Sequence, residues 1–127
     1  MSTWRRKALE YLPKHKSVIE GAESPMELWI ELLLIFEDNV KSNDQDIIRK
    51  TLNYASWCCS EKSGKLPNDT STAAYIGFYE SLGGNKIFWP YFKEWFFPEE
   101  YKKLKPAFSY FANEEELTLM DSMFYEK

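Results

Sequence analysis

The tetrapeptide Ser24-Pro25-Met26-Glu27 constrains this chain more than any other feature, because it writes a helix start in three ways. Serine is a preferred N-cap, proline suits the first helical position, and a glutamate three residues after the cap can reach back to the cap's own N–H. The helix it opens is predicted to run to about Lys41 and is apolar almost all round, with Glu27, Glu31 and Asp38 gathered into one narrow strip at 100° per residue. A helix of that kind belongs in the middle of a bundle. The same cap logic recurs downstream. Asn43 or Asp44 starts a helix whose two apolar stripes are Ile48, Leu52, Ala55, Cys59 and Ile47, Thr51, Tyr54, Cys58, with an end expected near Ser63 and Gly64 as a left-handed cap. Asn68-Asp69 starts another from Thr70 to Leu82, closed by Gly83-Gly84. It carries Tyr75, Phe78, Tyr79 and Leu82 on one face and the small residues Ala74, Gly77 and Ser81 opposite. Asn113 with Glu116 starts the last, with Leu117, Met120 and Phe124 as its buried stripe.

Nothing alternates at period two, so the expectation is all-α: a single compact bundle of six or seven helices spanning residues 1–127, with the helix near 25–41 central. The segment between the last two caps carries Pro90, Pro98 and Pro106, each lacking a donor and restricting its predecessor. Short helices are therefore expected near 86–96, 98–104 and 106–111.

The stretch Tyr54-Ala55-Ser56-Trp57-Cys58-Cys59-Ser60-Glu61-Lys62-Ser63-Gly64-Lys65-Leu66-Pro67-Asn68-Asp69-Thr70-Ser71-Thr72-Ala73 resembles, through its Trp57 to Ala73 region, the central helix-turn-helix of a family of short bacterial proteins of uncharacterised function, and the resemblance extends from the Asp46-Ile47-Ile48 helix through Phe78-Tyr79-Glu80. The resemblance implies an all-helical fold and carries over no catalytic residue. Small helical proteins of this size often act as immunity or interaction proteins, which is an analogy of class.

Charge narrows the partners. Sixteen Lys and Arg stand against twenty Asp and Glu, a net charge of −4. The basic residues crowd at the amino end, where Arg5, Arg6, Lys7, Lys14 and Lys16 face only Glu10 and Glu20. An acidic domain repels a polyphosphate at long range, so nucleic acid contact would rest on Arg5, Arg6 and Lys7 alone. The longest apolar run, Leu32 to Phe36, is too short to span a bilayer. Cys58 and Cys59 are adjacent, a spacing at which an ordinary disulfide is severely strained, so both are expected as free thiols in a reducing cytoplasm.

Catalytic chemistry finds little purchase, and no cofactor or metal is expected. The single histidine, His15, lies between Lys14 and Lys16 in what reads as a solvated run, which excludes sites needing two histidines. Mid-helix thiols lack a base. Glu27 with Glu31 is the best-spaced carboxylate pair, and reads more simply as the wet strip of its helix. The Asn68 to Thr72 run offers oxygens and donors at a helix start, but Asp69 already satisfies those donors and repels an anion.

The one compositional oddity is aromatic. Phe88, Trp89, Tyr91, Phe92, Trp95, Phe96 and Phe97 fill seven of ten positions, too many for one face of a short helix. They either plug a core or present a partner-binding surface through Trp89, Tyr91 or Trp95, with Tyr101, Tyr110 and Phe111 nearby. The expected function is accordingly a non-catalytic interaction module, a small acidic inhibitor or immunity-type protein that occupies a basic partner's site. The alternative is a small-molecule binder or enzyme with a pocket lined by Tyr75, Tyr79 and Trp89.

Overall fold

The computed structural model describes residues 2–60 and 70–126, and among them the chain is helical with no strand. The expected all-α class holds. The helices gather into two compact units, Met1–Phe78 and Tyr79–Lys127.

In the first unit, α1 (Thr3–Tyr11), a 3-10 turn (Pro13–His15) and α2 (Lys16–Gly21) lead to α3 (Pro25–Ser42), α4 (Gln45–Cys58) and α5 (Thr70–Ala74). Ser24 Oγ accepts the Glu27 N–H at 3.2 Å, as its cap role requires, while the Glu27 carboxylate reaches one residue further back, to the Glu23 N–H at 3.2 Å. Asn43 and Asp44 divide the labour that either could have taken. Asn43 adopts the left-handed conformation (φ 60°) that ends α3, a position asparagine tolerates better than most residues. The Asn43 N–H then bonds the Val40 carbonyl and the Asp44 N–H that of Asn39. The Asp44 carboxylate accepts the Ile47 N–H at 3.2 Å and starts α4.

Both predicted stripes of α4 are buried except Cys59, which is half-buried. The helix stops at Cys58, with Cys59 as its C-cap; the expected end at Ser63, the Gly64 cap and the Asn68-Asp69 start lie outside the described residues. α3 packs against α2, α4 and α5, which makes it the middle of this unit. It buries Leu28, Trp29, Leu32, Phe36 and Val40. The Trp29 ring lies 5.4 Å from Tyr54 and 4.9 Å from Phe78, whose edge meets Phe36 at 5.0 Å. Gly77 makes this approach possible, because a Cβ there would lie 2.9 Å from the Trp29 Cβ.

The helix predicted over Thr70 to Leu82 is not uniform. A π turn occupies Tyr75–Tyr79 between α5 and α6 (Glu80–Gly83). One extra residue in a turn rotates the rest of the helix by about 100°, so Phe78, Tyr79 and Leu82 are buried while Tyr75 is left half-buried. The boundary between the units falls inside this turn: Phe78 belongs to one core and Tyr79 to the other.

The second unit continues with a 3-10 turn (Lys86–Tyr91), α7 (Phe92–Trp95), α8 (Pro98–Phe108) and α9 (Glu114–Tyr125). Asn113 and Glu116 form the predicted reciprocal cap, at 2.8 and 3.1 Å, and Pro98 takes the first helical position of α8. Pro106 does not divide that helix as its sequence suggested. It sits in the last turn on the exposed side, where the freed carbonyl one turn back can turn to water, and Ala107 and Phe108 beyond it are fully buried. Phe108 stacks on Phe92 at 4.7 Å and meets Tyr79 and Phe96 at 6.3 and 5.5 Å. Gly83 lies against the Phe108 backbone so closely that a Cβ would fall 2.0 Å from its carbonyl oxygen.

Candidate interaction surface

The aromatic segment 88–97 is mostly core. Phe88, Trp89, Phe92, Trp95 and Phe96 are buried. The Trp89 indole N–H donates to the Gly83 carbonyl at 3.0 Å, and Trp95 lies beside Phe88 and Phe92 with Tyr91, half-buried, stacked on it at 5.3 Å. A 3-10 turn followed by a single α-helical turn changes the angular step within ten residues, which lets five of the seven rings turn inward. The exposure sought at Trp89, Tyr91 or Trp95 falls instead on Phe97, at 76%. Of the residues expected to line a pocket, Tyr75 belongs to the first unit, whereas Tyr79 and Trp89 are core side chains of the second.

Two further aromatics stand out at the carboxyl end of α8. Tyr110 and Phe111 are 67% and 62% exposed and meet edge to face at 4.9 Å. The helix expected over 106–111 does not include them: α8 ends at Phe108, and they lie between the C-cap Ser109 and the N-cap Asn113, where neither helix stripe can claim them. Glu114 and Glu115 come next, exposed, and Glu116 pairs with Lys86 at 3.6 Å. Exposed rings in a segment that also carries exposed carboxylates suit contact with an apolar, basic partner surface.

The outer face of α3 is a second exposed apolar feature: the helix is central to its unit, as expected, but its exposed side is wider than the acidic strip alone and includes apolar residues. Ile30 and Leu34 are 54% and 55% exposed, one turn apart. Beside them run Glu27, Glu31 and Asp38, all exposed, as the strip predicts.

Candidate chemical groups are drawn into structural roles. Neither Cys58 nor Cys59 is held in a disulfide among the described residues. Cys58 is fully buried near Tyr54 and Trp29, and burial pushes its thiol up to about 12. Burial and the neighbouring Cys58 raise the Tyr54 phenol as well, and its O–H donates to the Trp4 carbonyl at 2.9 Å. Cys59 Sγ faces the Ser71 carbonyl at 3.9 Å. His15 is half-buried rather than solvated, and its Nε2 is buried with no hydrogen-bond partner among the described residues. Glu27 and Glu31 line a dent of about 170 Å³ with Ser17, Val18, Gly21 and Ala22. In the amino-terminal basic cluster, the Arg5 guanidinium donates to the carbonyls of Ile19 and Ala22 and lies 4.6 Å over the Trp4 ring, and Lys7 pairs with Glu10 at 3.2 Å.

One polar constellation escaped the sequence. Asp121 on α9 accepts the Tyr101 O–H at 2.6 Å and the Lys105 ammonium at 2.5 Å, both from α8. Partial burial raises the Asp121 carboxyl, but the two hydrogen bonds and the Lys105 charge outweigh it and hold the group below the usual carboxylate range. Burial, then the bond to Asp121 and its charge, push the Tyr101 phenol up. With Tyr101 fully buried and both carboxylate oxygens engaged, the arrangement joins two helices.

Among the described residues, no helix is long and apolar enough to cross a membrane. No protein-family model, no curated protein and no solved structure matches the chain.

Proposed function

We propose that this chain is a non-catalytic protein-interaction module of the inhibitor or immunity type, working in the cytoplasm by covering a basic site on a partner protein. The observation that supports this reading is the exposed Tyr110–Phe111 pair, followed in the chain, after two intervening residues, by the exposed Glu114 and Glu115. Aromatic anchors carry much of the energy of protein interfaces, and flanking charge sets partner choice and the rate of encounter. The net charge of −4 has the sign that a basic partner requires.

The test compares surface and core aromatics. A partner captured from native lysate by the wild-type chain, and identified, is titrated against single variants. Tyr110→Ala or Phe111→Ala should weaken it by about 2 kcal/mol, roughly thirtyfold, with unfolding stability nearly unchanged. Trp95→Ala should cost about 3–5 kcal/mol of folding stability. Undiminished affinity in both Tyr110→Ala and Phe111→Ala would refute this surface as the binding site.

A further inference from the structure

α3 turns Leu28, Trp29, Leu32, Phe36 and Val40 inward. At 100° per residue, Ile30 and Leu34 then fall near the centre of the opposite face, and Glu27, Glu31 and Asp38 succeed one another along a single flank of it. Single exposed aliphatic residues are ordinary on protein surfaces. Two of them stacked at i and i+4 and more than half exposed form a ridge of the kind that meets another helix.

The charge beside the ridge selects its occupant. Lys41, the cation at the far end, is engaged by Glu37 at 3.5 Å, whereas among the described residues neither Glu31 nor Asp38 joins an ion pair. The flank is therefore negative. A second copy of the chain is a poor occupant, since an antiparallel pairing centred on Leu34 brings Glu31 and Asp38 of one copy toward carboxylates of the other. At the amino end of the ridge, the dent bounded by Ser17, Val18, Gly21 and Ala22 has Glu27 and Glu31 at its edge, which suits one long cationic side chain laid along its apolar wall.

We propose that the outer face of α3 is a docking surface for a single amphipathic helix of a partner protein, with apolar residues one turn apart on Ile30 and Leu34 and a lysine or arginine flank on Glu27, Glu31 and Asp38. This surface lies in the first unit and does not rest on the Tyr110–Phe111 reading.

The probe is a fluorescein-labelled synthetic helix of about four turns, with leucines at i, i+3, i+4 and i+7 and lysines along one flank, compared by anisotropy with a peptide carrying glutamates in their place. The full chain should bind the lysine peptide at least tenfold better than the glutamate peptide. Ile30→Ser with Leu34→Ser should weaken binding at least tenfold, Glu31→Lys with Asp38→Lys should reverse the preference, and Phe111→Ala should leave it unchanged. Amide shifts in the wild-type chain on titration should be confined to α2 and α3, a readout that needs no variant to fold. Absence of binding, equal binding of both peptides, an unaffected Ile30/Leu34 variant, loss on Phe111→Ala, or shifts elsewhere would overturn the proposal. So would sedimentation showing a wild-type dimer that Leu34→Ser dissolves, which would make a second copy the occupant.

Discussion

Replacing Gly83 with alanine should be among the most damaging small changes available to this chain. A Cβ built there lies 2.0 Å from the Phe108 oxygen, 2.3 Å from its Cα and 2.5 Å from its carbonyl carbon. All three are backbone atoms, so no rotamer change relieves the overlap, and α6 must part from α8 by more than about 1 Å to restore ordinary contact. Overpacking of this kind costs about 1–3 kcal/mol and sometimes more. Separation also pulls the Gly83 carbonyl away from the Trp89 indole N–H, a buried hydrogen bond worth about 1 kcal/mol. Alanine regains up to about 1 kcal/mol of helix propensity. With the upper end of the overpacking range, which a 2.0 Å approach to backbone calls for, the net is a loss of about 3 kcal/mol, or roughly 10 °C in Tm for a chain of this size. The other glycines supply the controls. At Gly84 the added carbon meets the exposed Phe111 side chain at 3.1 Å, which can move, so the cost should stay within about 1 kcal/mol. At Gly21 none of the described residues lies within 4 Å of the added carbon, and alanine should be neutral or stabilising by up to about 1 kcal/mol. Urea titrations of the three variants give the order directly. A Gly83→Ala midpoint indistinguishable from that of Gly84→Ala would refute the close approach of α6 to α8.

The titratable groups yield two more expected outcomes. In the folded chain at pH 8, Cys58 should resist thiol reagents, because burial raises it to about 12, while half-buried Cys59 reacts first; equal fast reaction of both thiols would contradict the packing of α4. The Asp121 carboxyl is depressed in the fold, so its stabilisation is present above the ordinary aspartate value of about 4 and is lost as pH falls through the lower folded value. Asp121→Asn should therefore be less stable than wild type at pH 7 and show a flatter decline below pH 4 in denaturant titrations across pH; parallel curves would exclude the role assigned to the α8–α9 link.

What was legible in the sequence was local. Ser24, Asp44 and Asn113 act as caps within three residues of themselves, so their chemistry is written in a short window and their bonds are present. The Gly77 small face was legible for the same reason, since a gap in side-chain volume at helical spacing can only serve a close neighbour. Pro106 misled because a proline's cost depends on where in the helix it falls and on access to water, neither of which the tripeptide around it encodes. The π turn at Tyr75–Tyr79 left no mark in the residues themselves. Asp121 could not be paired with Tyr101 and Lys105 in advance, because their separations of 20 and 16 residues are closed only by the packing of α8 on α9.

The exposed apolar residues obey a different rule, and it explains why the dense aromatic segment took the core place that was one of its two expected roles. Seven rings in ten residues look like excess apolar area, but a segment broken into a 3-10 turn and one α-helical turn has no single face, so its rings can be buried from several directions at once. Tyr110 and Phe111 occur at ordinary density, yet they sit between a C-cap and an N-cap, where the backbone is committed to ending one helix and starting the next. Neither helix can turn them toward its own stripe. Ile30 and Leu34 reverse the case of the aromatic segment, since a regular helix of eighteen residues has a fixed angular step. When α2, α4 and α5 pack on its inner sides, apolar residues on the remaining side stay in water however hydrophobic the helix is as a whole. At Ile30 with Leu34, and at Tyr110 with Phe111, helical geometry leaves the side chain no inward path, and exposed carboxylates lie close to each pair in the sequence. Their shared chemistry is what makes a basic partner the reading to test first.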